Sequence, residues 1–263
     1  SQVFMRPARH EGSARIIFER VSIDGADPLD CRVHAGEIVG LVGLRGAGQE
    51  AVGRALFGLA PVTHGRVLLD GVPITVTSPR AAIGLGINLV CADRIAESIV
   101  PGLCVRENLF LNPVAAGLGA LSYLRPGDES RAAFALGERI GLKPNDPTLP
   151  IEWLSGGNQQ KVVIGRWLQL NAKVYVFEDP TAGVDVGAKA EIYRLFDVVL
   201  KGGATILIVS TDFEEVAQVC HRALVFQRGQ VVAELSGGEL CTENLLAAAA
   251  ANLGELQRNH AVS

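Results

Sequence analysis

Apolar residues along the chain follow two periods, and the places where the period changes divide it into elements. Residues 15–23 (RIIFERVSI) and 37–42 (EIVGLV) are β-branched runs of strand character, and the second passes directly into a glycine-rich loop. Residues 51–58 (AVGRALFG) then change to helical spacing. In residues 66–74 (RVLLDGVPI) the Asp70-Gly71 pair predicts a hairpin, because a two-residue turn needs positive φ at both central positions. From about residue 106 to residue 151 the strand pattern stops; RAAFALGERIGL (131–142) is spaced as a helix with Pro, Gly and Asn breaks around it. Afterwards VVIGRWLQL (helix), VYVFED (buried strand), AEIYRLFDVVL (helix), TILIVS (strand), FEEVAQVC (helix) and RALVFQRGQVV (hairpin) alternate as βαβ units do. The closing LLAAAAANLGELQ has high intrinsic helix propensity.

Composition agrees with a sheet buried on both faces. Hydrophobic residues make up 48% of the 263 but aromatics only 5%, so Ala, Val, Leu and Ile supply the apolar surface. No run approaches the ~18 apolar residues of a membrane span. A net charge of −4 offers no basic face and argues against nucleic acid as a partner. The five cysteines are scattered, with no CxxC spacing, so neither a zinc site nor a disulfide framework is expected, and a reducing compartment fits. The five histidines are dispersed and are expected on the surface. Residues 1–13 mix Arg, His, Pro and Gly without periodicity and are expected to be a linker or expression remnant.

The glycine-rich loop is Gly43, Leu44, Arg45, Gly46, Ala47, Gly48, Gln49 and Glu50. Its place between an apolar strand and a helix is that of a P-loop, whose backbone N–H groups cradle phosphates. That motif requires lysine and then a magnesium-binding hydroxyl where this chain has Gln49 and Glu50. A lysine ammonium ~4 Å from a phosphate oxygen is worth about 4 kcal/mol at an effective dielectric near 20, which a neutral amide does not supply. The same loop also fits the dinucleotide pattern GxGxxA from Gly46 to Ala51, with Asp70 as the ribose-binding acid.

Residues 154–161 (LSGGNQQK) set a serine and two glycines before a helix, so free N–H groups and the positive end of the helix dipole face an anion. Here the chain resembles the ATP-binding-cassette (ABC) family, whose signature is LSGGQ or a near variant. The closer resemblance is to the second nucleotide-binding half of monosaccharide importer ATPases of the ribose, galactose, arabinose and xylose type, which carry a nonstandard GLxGAG loop. Residues 174–189 (VYVFEDPTAGVDVGAK) resemble the family's strand, acidic pair, Pro-Thr and D-loop, with Asp185 in the D-loop. The family's order is Asp then Glu, for magnesium and for the attacking water; this chain has Glu178 then Asp179. Thr211 stands where the family has its switch histidine, and GINLVCADR (86–94) resembles the loop that carries the family's glutamine, with Ala92 at the polar position.

The resemblance implies an α/β fold: a P-loop NTPase core with an N-terminal antiparallel β subdomain and an inserted helical signature subdomain. It implies a nucleotide-binding domain over 14–246, its helical part about 95–165, and a helical tail over 247–263. The implied cofactors are ATP and magnesium, with Glu178 as the metal ligand. The implied partners are a second nucleotide-binding half, transmembrane permease subunits and, indirectly, a sugar-binding protein, at the cytoplasmic face of the inner membrane. Family architecture sandwiches each nucleotide between one half's P-loop and the other's signature. Leu154, Ser155, Gly156, Gly157, Asn158 and Gln159 would then serve the partner's nucleotide, while Gly43 to Glu50 form a compromised site. A nucleotide-independent adaptor and a soluble cassette ATPase are the competing readings, and the second lacks the CxxC, coiled coil or basic surface it needs.

Overall fold

A computed structural model describes residues 12–111 and 125–251. Most of the expected linker, the middle of the helical insertion and residues 252–257 of the closing helix lie outside the described residues.

Two sheets carry the fold. Strands β1 (Ala14–Ile23), β2 (Leu29–His34), β4 (Val62–Leu69) and β5 (Val72–Ile74) form an antiparallel sheet in the order β2-β1-β4-β5. Strands β3 (Ile38–Gly43), β6 (Ile87–Val90), β7 (Val174–Glu178), β8 (Thr205–Ser210), β9 (Arg222–Gln227) and β10 (Gln230–Ser236) form the second, in the order β10-β9-β3-β8-β7-β6. Its members are parallel except β10, which returns along β9 through the Arg228-Gly229 turn. The predicted turn at Asp70-Gly71 is present with positive φ at both residues.

The parallel sheet separates two apolar cores, which explains the continuous hydrophobic runs of its strands. Ile38 and Val42 of β3 face one core with Phe177, Ile206 and Ile208, while Val39 and Leu41 face the other with Val176, Leu207 and Val209. Helices α5 (Pro126–Arg139), α6 (Gly156–Leu168), α7 (Val186–Lys201), α8 (Phe213–Val219) and α9 (Thr242–Ala250) contribute to the first core. Helix α1 (Gln49–Leu56) and the antiparallel sheet close the second. Short helices α2 (Pro79–Gly84), α3 (Arg94–Glu97) and α4 (Val105–Leu109) complete the α-helices of the described residues.

Several elements differ from the sequence reading. Strands β2 and β6 fall in segments that carried no strand assignment. LDCRVH has charged residues in its pattern and is a strand because β1 pairs with it, and INLV is too short to stand out before it meets β7. Helix α6 begins six residues earlier than its apolar run, because the polar NQQK turn continues from the Ser155 cap. His34 and His221 are half-buried rather than surface residues, and His221 Nδ1 accepts the Ile38 amide at 2.8 Å. The second LSGG, 235–238, ends β10 and enters a 3-10 turn, as a turn there was expected.

The dinucleotide reading fails on topology. Asp70 ends a strand of the antiparallel sheet, not a parallel neighbour of β3, and its carboxylate is held by Arg15 and Lys173, each at 2.6 Å.

Candidate nucleotide site and signature surface

The carboxyl ends of three parallel strands converge on one edge, where α/β sheets place their ligands. β3 delivers the glycine-rich loop, β7 the acidic pair and β8 Thr211, with Val42 opposite Ser210 and Glu178 opposite Val209 in register. Between them lies a cleft of 190 Å³, lined by Arg45, Gln49 and Glu50 of the loop and by Glu178, Asp179 and Thr211. None of residues 154–159 lines it.

The loop has P-loop geometry. Gly46 and Gly48 take positive φ, and a Cβ on Gly48 would lie 2.8 Å from Gly229, whose N–H donates to Ala47 O at 2.7 Å. Gln49, at the base of the cleft, folds back onto its own loop. Its side chain is fully buried, and its amide nitrogen donates to Gly43 O at 3.2 Å and Leu44 O at 3.4 Å, while Oε1 has no partner. The position that should present a cation therefore closes the loop on itself.

Glu178 is buried at 3% exposure, and a guanidinium occupies it. Arg54, in the last turn of α1, donates from Nε to Oε1 at 3.0 Å and from Nη2 to Oε2 at 2.9 Å, and the Ala92 amide reaches Oε2 at 3.4 Å. The same Nη2 meets both oxygens of Glu97 at 3.0 and 3.1 Å. Burial pushes the Glu178 carboxyl above its ordinary range, against the pull of Arg54. Asp179, at φ 38°, turns out of the strand and accepts from the Thr211 amide at 2.9 Å, with Ser210 Oγ at 3.1 Å sharing its one proton between Asp179 and Glu215, so Asp179 fastens the loop after β8. Thr211 is exposed at the cleft rim.

Behind the pair sits a group that no motif announced. Glu215 of α8 accepts from Thr181 Oγ1 at 2.7 Å, Ser210 Oγ at 3.1 Å and Tyr193 Oη at 3.2 Å, and its burial raises its pKa. Three hydroxyls on three elements thus fix the Pro-Thr turn against the switch loop. No local pattern marks this glutamate, since FEEV reads as an ordinary helix start.

The signature forms a separate surface. Ser155 is exposed and caps α6, its Oγ accepting from the Asn158 amide at 3.4 Å and from Asn158 Nδ2 at 3.0 Å. Leu154 is buried, and Gly157 packs beside Val184 and Ala188 of the D-loop segment. Gln159 donates to Ile151 O at 3.3 Å and accepts from Arg94 at 3.4 Å, so its amide faces inward. Lys161 is buried against Glu191 and Gly141 O. Asp185 caps α7, accepting from the Ala188 amide at 3.0 Å. Trp153 and Val186 flank this face at 75% and 84% exposure.

A strand-end P-loop, an acidic pair on a neighbouring parallel strand and a capped signature helix together define a P-loop nucleotide-binding cassette. The ABC transporter family model matches residues 26–182, and the chain belongs to the ABC transporter family. It is 41% identical over 217 residues to a putative ribose/galactose/methyl galactoside import ATP-binding protein of Agrobacterium fabrum, covering 82% of this chain and 43% of that protein. It is 40% identical over 221 residues to the ribose import ATP-binding protein RbsA of Pseudomonas putida, covering 84% and 43%. Each match therefore spans less than half the relative's length. The crystal structure of a nucleotide-free ATP-binding cassette from an ABC transporter superposes with a TM-score of 0.74 at 25% identity, covering 89% of this chain and 95% of that one.

ABC ATPases of the ribose-import type bind ATP with magnesium. Around this chain's own loop the side chains are engaged as follows. Both Glu178 oxygens already face Arg54, Asp179 points at Thr211, Glu50 replaces the hydroxyl, and Gln49 offers no cation.

Proposed function

We propose that this chain is the nucleotide-binding half of a carbohydrate ABC importer that lends its signature to a nucleotide held on a partner half. Its own P-loop site is degenerate, and hydrolysis by the chain alone is weak or absent. The observation that carries this reading is the contrast between the two surfaces. Ser155 of the signature is exposed, caps α6 and is bordered by bare Trp153 and Val186, a combination that marks an interface, whereas in the cleft beneath the P-loop Glu178 is held by the chain's own Arg54. The import proteins it resembles, and its span of under half their length, support a second half as the partner.

In this arrangement ATP and magnesium are gripped by the partner's P-loop and met by Ser155 and the α6 N-terminus. Membrane permease subunits, and through them a sugar-binding protein, complete the assembly at the cytoplasmic face of the inner membrane. Among the described residues no helix is long and apolar enough to cross a membrane, in keeping with a peripheral position. The domain runs from residue 14 through α9, whose Leu245 and Ala249 both lie in the first core.

Replacing Ser155 by Arg in the assembled importer tests the reading: a cation with a long side chain at the α6 N-cap blocks the partner's nucleotide, so ATPase and sugar uptake fall to background. Unchanged activity overturns it. Titration of the chain with ATP and magnesium is expected to show no low-micromolar binding. A nucleotide-independent adaptor is favoured by the same Arg54 geometry, and it differs in that Ser155→Arg would leave ATPase intact.

A further inference from the structure

We infer that Arg94 is a positioning residue that locks the signature to the D-loop, so that the face offered to the partner's nucleotide is assembled without a ligand in this chain's own site. This rests on the reading of the signature given above. The guanidinium lies in a slot between two glycines. A Cβ on Gly156, the first glycine of the signature, would come within 2.6 Å of Arg94 Nη2 and 3.2 Å of Gly183 O, and Gly183 lies 3.8 Å from Nη1 by the same measure. From that slot Nε donates to Gln159 Oε1 at 3.4 Å and Nη1 to Ala182 O at 3.0 Å. One side chain thus bridges the first turn of α6 and the turn that leads to Asp185.

Arg94 is itself fixed at both ends of α3. Asp93 Oδ1 accepts from the Ile95 and Ala96 amides at 3.1 and 2.9 Å, and Glu97 at the far end takes Arg54 Nη2. Arg54 also holds Glu178, so the chain of contacts runs from the P-loop helix through α3 to the signature using only the protein's own groups. A planar fork with separated donors is required to reach both Gln159 and Ala182; a lysine ammonium reaches one or the other.

The experiment has two arms. In the first, amide hydrogen exchange is followed in the full chain for wild type and Arg94→Lys. The amides of Gln159, Ala182 and Val184 now bond to Ser155 O, Asp179 O and Thr181 O. All three are expected to exchange about tenfold faster in the variant, with the rest of the chain unchanged. Exchange that stays at wild-type rates, or rises in one segment only, overturns the bridge. In the second arm, ATP kinetics of the assembled importer are compared. A variant that is merely less folded lowers kcat by losing active molecules and leaves KM alone, whereas a displaced signature raises KM for ATP, on the order of tenfold. An unchanged KM overturns the functional part. Ser155→Arg run in parallel separates the two failures: if it abolishes ATPase while Arg94→Lys leaves KM unmoved, the positioning role alone is wrong, and if it changes nothing, the signature reading is wrong while the exchange arm still judges the bridge.

Discussion

Replacing Arg54 by Ala removes the one cation bonded to Glu178 among the described residues, and the cost follows from the burial of the two partners. Glu178 has a side chain 4% exposed, and Arg54 one 34% exposed. Stripping the partner from a fully buried ion pair costs about 3–5 kcal/mol. Solvent already screens one end of this pair, so the expected loss is about 2 kcal/mol at neutral pH. With a urea m-value near 3 kcal/mol/M for a domain of this size, the midpoint moves down by roughly 0.7 M. The pH dependence separates this cause from general damage. Burial already raises the Glu178 pKa, and without Arg54 it rises further. A carboxyl whose folded pKa is raised stabilises the fold fully below its unfolded pKa and loses that contribution as pH rises through the folded value. The loss from Arg54→Ala is therefore smaller at pH 5 than at pH 8, and adding Glu178→Gln restores most of it. Equal losses at the two pH values, or no rescue by the second substitution, refute the assignment of Arg54 as the counter-ion of the acidic site.

The Glu215 network makes a related prediction. Glu215→Ala removes the acceptor of the Thr181 and Tyr193 hydroxyls, while Ser210 keeps Asp179, and costs about 2 kcal/mol in urea unfolding. Glu215→Gln keeps partners for them and flattens the fall in stability that wild type shows as pH rises through the raised carboxyl pKa; a wild-type slope retained in the Gln variant counts against the network. At the opposite end of the parallel sheet, Arg222 pairs with fully buried Glu37 at 2.8 Å, so Arg222→Met takes the guanidinium from a buried carboxylate that keeps the His34 amide at 2.9 Å. Calorimetry should show Tm lower by roughly 10 °C, corresponding to about 4 kcal/mol, and a shift under about 3 °C would mean that Glu37 is satisfied without Arg222.

The sequence carried the cassette unusually far, because its key features are local. The GLRGAG loop, the LSGGNQQK turn and the apolar run ending at Glu178 each owe their form to residues close in sequence, so strand, turn and capped helix could be placed before any contact was known. The weaker elements were read less well. β2 is made a strand by β1 and β6 by β7, and neither sequence shows a clear period of its own.

The side chains of the site were decided only by tertiary contact. From the sequence, the order Glu178-Asp179 is a carboxylate pair with its lengths exchanged, and it suggested a metal ligand that had kept its place. The fold brings Arg54 to Glu178 across 124 positions of sequence and adds Glu97 from a third segment. It also turns Asp179 to Thr211 and buries Gln49 in its own loop. Motif spacing fixes where a backbone can cradle a phosphate, since that depends on φ and on short turns. Whether a charge is free to meet a ligand depends on which distant charge reaches it first, and for Glu178 the tertiary structure gives that place to Arg54.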